Sequence, residues 1–234
     1  MQDNGVRINK FLSDQKLCSR RMADRLIEKG LVFINGKKAS IGQKVFKGDK
    51  VEVKNKAELL KKYQYFLYHK PKGIVSHKTT PNEKEAVEDA GLPKSFAPVG
   101  RLDKASEGLM LLTNDGRIVN KILNPKHKHE KEYIVHTDKY IKNSDLKKLE
   151  RGVNIEGYTT LPAKTKRISS NIFKIILNEG KKHQIRRMLA ALGYKVLKLK
   201  RVRIMHLKLG SLVPGEKRKL TKQERQELLS KLGI

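Results

Sequence analysis

The chain has 234 residues, with 53 Lys and Arg against 24 Asp and Glu, a formal charge of +29 at pH 7 and a pI near 10.1. So large a cationic excess calls for a polyanionic partner, because attraction to phosphates supplies most non-specific nucleic-acid affinity. A membrane-surface protein would instead need an amphipathic basic helix or an apolar span, and neither is evident.

Met1-Gln2-Asp3-Asn4-Gly5 lack a charged start followed by an apolar core, so no export signal is read and a cytoplasmic location is expected by default. From Val6 to about Val53 the pattern predicts two short helices and then strands. Ile8, Phe11 and Leu12 recur at helical spacing, Ser19 caps a second helix carrying Ala23, Leu26 and Ile27, and Gly30 stops it. Leu31 to Ile34 reads as a strand, with Asn35-Gly36 as a tight hairpin turn. Cys18 is the only cysteine, so no internal disulfide is expected; it reads as a small buried hydrophobe.

Lys54 to Lys62 is a polar, lysine-rich connector, which places the boundary between a domain at 1–60 and one at 61–234. Tyr65-Phe66-Leu67-Tyr68 predicts an apolar strand, Lys70 to Gly73 a turn before Ile74-Val75-Ser76, and His77 to Pro93 a polar loop with weak helical character. Leu109 to Thr113 reads as a buried strand and Ile118, Val119, Ile122 and Leu123 as a helical stripe. Strands are predicted at 133–136 and 172–177, with a helix from Ser144 to Glu150 between them. A further helix carries Ile185, Met188, Leu189 and Leu192 up to Gly193, and a last one starts at the capping box Thr221-Lys222-Gln223-Glu224. The fold class is α+β, a small module plus a larger domain with a mixed, largely antiparallel sheet flanked by helices.

The run Gly100-Arg101-Leu102-Asp103, followed by Gly108 to Gly116, sets one carboxylate between a glycine turn and an apolar strand. By spacing alone such an aspartate closes a turn, caps a helix or pairs with a cation. With Lys131-Glu132-Tyr133 and the block Gly180 to Met188 in the same order, however, the chain resembles the RsuA-type rRNA pseudouridine synthases, over nearly its whole length. His129 to Tyr133 and Arg201-Val202-Arg203-Ile204-Met205 look most like the large-subunit RluF/RluB branch. Arg7, Asn9, Lys10, Ser19-Arg20-Arg21, Val32 to Gly36 and Gly48 to Val53 resemble an S4 (α-L) RNA-binding domain.

The resemblance implies an isomerase that breaks the bond from uracil N1 to ribose C1′, turns the base and reattaches it through C5. Asp103 is then the catalytic carboxylate, acting on the sugar as nucleophile or as the base that starts glycal formation. Arg186 is expected to pair with it, holding it ionised, and Tyr133 to stack on the target uracil near C5. Extrusion of a base leaves a gap in the RNA, which Arg101 is expected to brace. No cofactor is expected for a reaction that neither adds nor removes an atom. No metal is expected either, since no spaced Cys/His ligand set appears and His127-Lys128-His129 reads as a phosphate-facing loop.

RNA contacts are expected from Arg7, Lys10, Arg20, Arg21 and Lys37, in a stretch, residues 1–56, with 14 Lys and Arg against 6 Asp and Glu. In the larger domain they are expected from Arg187, Lys181, Lys182 and Arg201, because residues 181–203 hold nine Lys and Arg and no acid, read as a phosphate-tracking surface. The expected partner is rRNA, 23S before 16S or tRNA, free or in a ribosomal particle or assembly intermediate, with the protein acting as a monomer. The alternatives are a non-catalytic S4-type RNA-binding or assembly protein and a glycosidase-like hydrolase. The hydrolase would need a second carboxyl group, and only Glu107 or Asp115 lies near in sequence.

Overall fold

The computed structural model describes residues 5–15, 17–54 and 63–234, so the connector expected at 54–62 lies, from residue 55 on, outside them. The chain forms two compact units, Met1–Gln64 with Asp115–Asn120, and Tyr65–Asn114 with Lys121–Ile234.

The small unit runs β1 (Val6–Arg7), α1 (Ile8–Asp14), α2 (Arg20–Glu28), β2 (Val32–Ile34), β3 (Lys37–Lys38), β4 (Lys44–Val45) and β5 (Val51–Val53). Ser19 caps α2 by accepting a hydrogen bond from the Met22 amide, which satisfies one of the donors a helix start leaves free. Ala23, Leu26 and Ile27 then share the face turned toward Ile8 and Leu12 of α1. Asn35 and Gly36, with φ of 50° and 79°, supply the two left-handed residues that let β2 turn tightly into β3. Cys18 is buried in this core, which pushes its thiol up to about 11, with Asp24 adding to the shift.

The large unit continues with β6 (Tyr65–Lys70), α3 (Ala86–Asp89), β7 (Ala97–Val99) and β8 (Glu107–Thr113). The chain then passes through α4 (Arg117–Leu123), β9 (Lys131–Thr137), α5 (Asn143–Arg151), β10 (Asn154–Ile155), β11 (Tyr158–Thr159), β12 (Lys164–Arg167) and β13 (Ile172–Leu177). It ends with α6 (Gln184–Ala191), β14 (Val196–Ile204), β15 (Leu207–Lys208), β16 (Lys217–Lys219) and α7 (Lys222–Lys231). The capping box expected at Thr221 is formed with Glu224. Beyond the turn expected at Lys70 to Gly73, Val75 makes an isolated bridge to Glu85.

Nine strands make one sheet in the order β12-β13-β9-β14-β8-β6-β16, with β15 on β14 and β7 on β8. Of its pairings only β14 with β8 is parallel, so the fold is the mixed, largely antiparallel one expected. Leu109 to Leu112 in β8 are wholly buried, as a strand covered on both faces requires. The centre of the sheet is β14, which the sequence reading assigned to a phosphate-tracking surface. Its alternation is interrupted by register shifts against β9 between Val196 and Lys198 and between Arg201 and Arg203, so no period-2 pattern marks it as a strand.

Candidate active site

One row of residues crosses the middle of the large sheet: Ile175 of β13, Tyr133 of β9, Arg201 of β14, Gly108 of β8 and Lys70 of β6 stand opposite one another in register. Residues directly opposite on adjacent strands project from the same face, so Tyr133 and Arg201 are side-by-side neighbours. The row closes at Gly108 because β14 presses against it. A Cβ there would lie 2.3 Å from the Arg201 carbonyl oxygen, and its φ of +115° is one that side-chain-bearing residues rarely adopt.

Above the row lies a cavity of about 440 Å³ lined by residues from Val99 to Asp103, from the α4 end, from β9 and β14, and from the loop 179–185. Asp103, Tyr133, Arg101, Lys181, Lys182 and Arg201 all line it, so six of the expected site residues from four separate stretches of sequence meet there. Its volume suits a single nucleoside rather than a helix.

Asp103 is fixed through its backbone on both sides. The Ser76 hydroxyl donates to the Leu102 carbonyl at 2.7 Å and accepts from the Leu102 amide at 2.9 Å, and the Ser106 amide donates to the Asp103 carbonyl. The carboxylate Oδ2 lies 3.1 Å from Nδ1 of His183 and remains partly open. His183 precedes α6 in a left-handed backbone conformation, φ 53° and ψ 25°, a strained choice for a residue with a side chain.

Arg186 does not pair with Asp103 as the resemblance implied. Three residues beyond His183, it is most of a turn further along α6. Its guanidinium donates to the Ala105 carbonyl, the Ser106 hydroxyl and the Val196 carbonyl, so it holds the turn that follows Asp103. Arg187 is engaged by Glu156 at 2.6 Å and by the Ile155 carbonyl. Arg201 is not on a phosphate-tracking surface: it is 3% exposed, its Nε donates to the Leu109 carbonyl at 2.7 Å and its Nη1 to the Arg101 carbonyl at 3.3 Å. Arg101 itself is exposed at the cavity, while Asp115, one of the two carboxyl groups a hydrolase could have drawn on, is held by Arg117.

Three further groups shape the site. Glu179 is 3% exposed and accepts hydrogen bonds from the Tyr158 hydroxyl, the Leu161 amide and Gln184 Nε2, which clamps the loop carrying Lys181 and Lys182. Lys181 lies over the Tyr158 ring at 4.5 Å. Lys70 is fully buried, with Nζ on the Pro71 and Ile74 carbonyls; burial pulls its amine down to about 8, a shift that the nearby Asp103 charge opposes. Glu179 and Ser76 carried no sequence signal, and His183 stood inside the quoted Gly180 to Met188 block without being separated from it.

In the small unit Arg7, Lys10 and Arg20 line an open concavity of about 290 Å³ with Gly5, Val6 and Asn9, and Arg21 and Lys37 are exposed elsewhere on that unit. Among the described residues no helix is long and apolar enough to cross a membrane.

A catalytic-looking carboxylate over a nucleoside-sized cavity, on a mixed sheet, is what comparison with known proteins explains. Residues 64–191 match the family model described as RNA pseudouridylate synthase and residues 6–51 that of the S4 domain, so the chain belongs to the RNA pseudouridylate synthase family, in its RsuA-type group. It is an RNA pseudouridine synthase, an isomerase, of the RluF/RluB branch. The chain is 42% identical over 227 residues to the dual-specificity RNA pseudouridine synthase RluF of Escherichia coli (strain K12), covering 96% of this chain and 78% of that one. It is 36% identical over 231 residues to ribosomal large subunit pseudouridine synthase B of Bacillus subtilis (strain 168), covering 95% of each. Among solved structures, a crystal structure of a pseudouridylate synthase superposes with a TM-score of 0.71 at 29% identity, over 95% of this chain and 99% of that one.

Proposed function

We propose that the protein converts a specific uridine of 23S rRNA to pseudouridine, with residues 1–60 gripping RNA and residues 61–234 doing the chemistry. The observation that carries this reading is the single open carboxylate, Asp103, beside Tyr133 and Arg201 in one cavity. Asp103 attacks C1′ or removes the proton that starts glycal formation, Tyr133 stacks on the extruded uracil, and Arg101 braces the gap in the RNA. Arg186 is a positioning residue for the Asp103 turn. Lys181 and Lys182 at the cavity, Arg187, and Arg7, Lys10, Arg20, Arg21 and Lys37 on the small unit take phosphates.

Large-subunit rRNA is favoured by the similarity to the ribosomal large subunit pseudouridine synthase B of Bacillus subtilis; the dual specificity of the Escherichia coli relative makes a second RNA worth a separate arm. The test is incubation of the protein with 23S rRNA, 16S rRNA and tRNA made without modifications, followed by mapping of pseudouridine. One or a few modified positions in 23S rRNA are expected with the wild type and none with Asp103→Asn. Binding with no isomerised uridine in any RNA would support the non-catalytic alternative, and free uracil would support the hydrolase.

A further inference from the structure

We infer that Arg201 is the group that receives the departing uracil as an anion, through a guanidinium N–H that the protein leaves without a partner. This deepens the reading of the site given above and rests on it.

Breaking the C1′–N1 bond sends its electron pair to N1, because C1′ is taken by an Asp103 oxygen or, in the other route, the sugar forms its double bond by losing a proton to that carboxylate. Either way the detached base is uracilate, with its charge spread over N1 and the two carbonyl oxygens. Reattachment through C5 expels the Asp103 oxygen from C1′, or in the other route the sugar takes back the proton held by Asp103, and the C5 proton passes to N1, which restores a neutral isomer. The fragment that most needs stabilising is thus a transient anion held inside the cavity, and donors fixed in advance where charge develops are the most effective stabilisers.

Arg201 is built for that task. Its Nε and Nη1 are committed to the Leu109 and Arg101 carbonyls, which locks the guanidinium plane. Its Nη2 is buried and has no hydrogen-bond partner among the described residues, a condition that buried polar groups rarely tolerate without a reason. The residue lines the cavity and stands directly across the strand pair from Tyr133. A base stacked on Tyr133 therefore lies next to it.

The surrounding charge points the same way. Lys131, also buried and lining the cavity, is two residues from Tyr133 on β9. Burial first and the Arg201 charge second pull its amine down, as expected where two cations share a floor with too few anions. The carboxylates lining the cavity are Asp103 and Glu179, and Glu179 is occupied by Tyr158, Leu161 and Gln184. An arginine keeps its charge at any working pH, so the floor stays positive through the reaction.

The experiment compares single-turnover rates of wild type and Arg201→Gln on target RNA carrying uridine or 5-fluorouridine at the modified position, following consumption of that nucleoside after nuclease digestion. Fluorine makes the departing base a better anion that depends less on outside help. Loss of the stabilising donor is expected to slow the uridine substrate roughly 10²- to 10³-fold, and the fluorinated substrate by at least about tenfold less, with RNA affinity unchanged. Equal losses on both substrates would mean that Arg201 merely supports the fold, and would overturn the inference. If the glutamine variant does not fold, Arg201→Lys is read by the same ratio, with the same overturning result. A wild type that isomerises no uridine at all is a different failure, that of the synthase reading itself.

Discussion

In the small unit Arg7, Lys10 and Arg20 stand exposed around a concavity and Arg21 and Lys37 are exposed elsewhere, whereas in the large unit Lys131 and Arg201 are buried in the lining of a cavity and Lys70 is buried in β6. The residue types are the same and the physics is opposite. An exposed lysine or arginine keeps its hydration, attracts phosphate at long range and is screened by salt. A buried one gives up water, must be held by carbonyls or acids, and is worth far more to any anion that reaches it. Net charge therefore reports that the chain meets a polyanion and says nothing about which cations touch it.

The largest effect expected in the large unit is on Asp103. Replacement by asparagine keeps the shape and removes the charge, and single-turnover pseudouridine formation is expected to fall by roughly 10⁴-fold or more, as for other residues at the reacting centre. RNA affinity, set largely by the exposed cations, should change less than about threefold. A comparable fall in affinity would break the division between a gripping unit and a reacting one.

Next comes Gly108→Ala. A methyl group 2.3 Å from the Arg201 carbonyl, on a backbone with φ +115°, has to push β14 away from β8. A loss of about 3 kcal/mol or more in chemical denaturation is expected, confined to the large unit. Ser76→Ala is milder. It strands both the amide and the carbonyl of Leu102, which are bound to the Ser76 hydroxyl, at a cost of about 1 to 3 kcal/mol. It also loosens the segment carrying Asp103, so a rate loss of roughly 10- to 100-fold is expected with the substrate saturating.

Much of this frame was legible beforehand, and the exceptions have physical causes. The Ser19 cap, the Asn35-Gly36 turn, the Leu109 to Thr113 strand and the Thr221 capping box are local devices, and each formed where its residues stood. β14 was missed because two register shifts scramble its alternation and its lysines and arginines imitate a surface. The partner of Asp103 was misassigned because a motif fixes which residues share a loop, not which one turns inward. That choice goes with the left-handed backbone at His183, a conformation histidine adopts more often than most residues but too seldom to be read from sequence.

In the small unit, Lys10→Ala or Arg20→Ala is expected to weaken RNA binding and reduce the slope of log affinity against log salt by about one for each phosphate no longer neutralised. The rate at saturating RNA should stay within about twofold. If the rate falls and the salt slope does not, these cations guide catalysis rather than supply grip.

The finest test uses the one cysteine as a reporter of the small unit and the tyrosines as reporters of the large one. Cys18 is 1% exposed in the small core, and its thiol is held at about 11 from an ordinary 9.0, chiefly by burial. Since the native thiol binds its proton more tightly than the unfolded one, this group adds stability below pH 9 and loses it as pH rises toward 11. At neutral pH a thiol reagent should therefore label only molecules whose small core has opened. Six of the seven tyrosines belong to the large unit and the chain has no tryptophan, so tyrosine emission follows the large sheet. A small core buries a lesser fraction of its surface and opens at lower cost. Cys18 labelling in urea is thus expected to reach its midpoint about 0.5 to 1 M before the tyrosine transition, given slopes near 1–3 kcal/mol/M. Coincident midpoints would show the two units melting as one body, and the contrast between them would then lie in their surfaces alone.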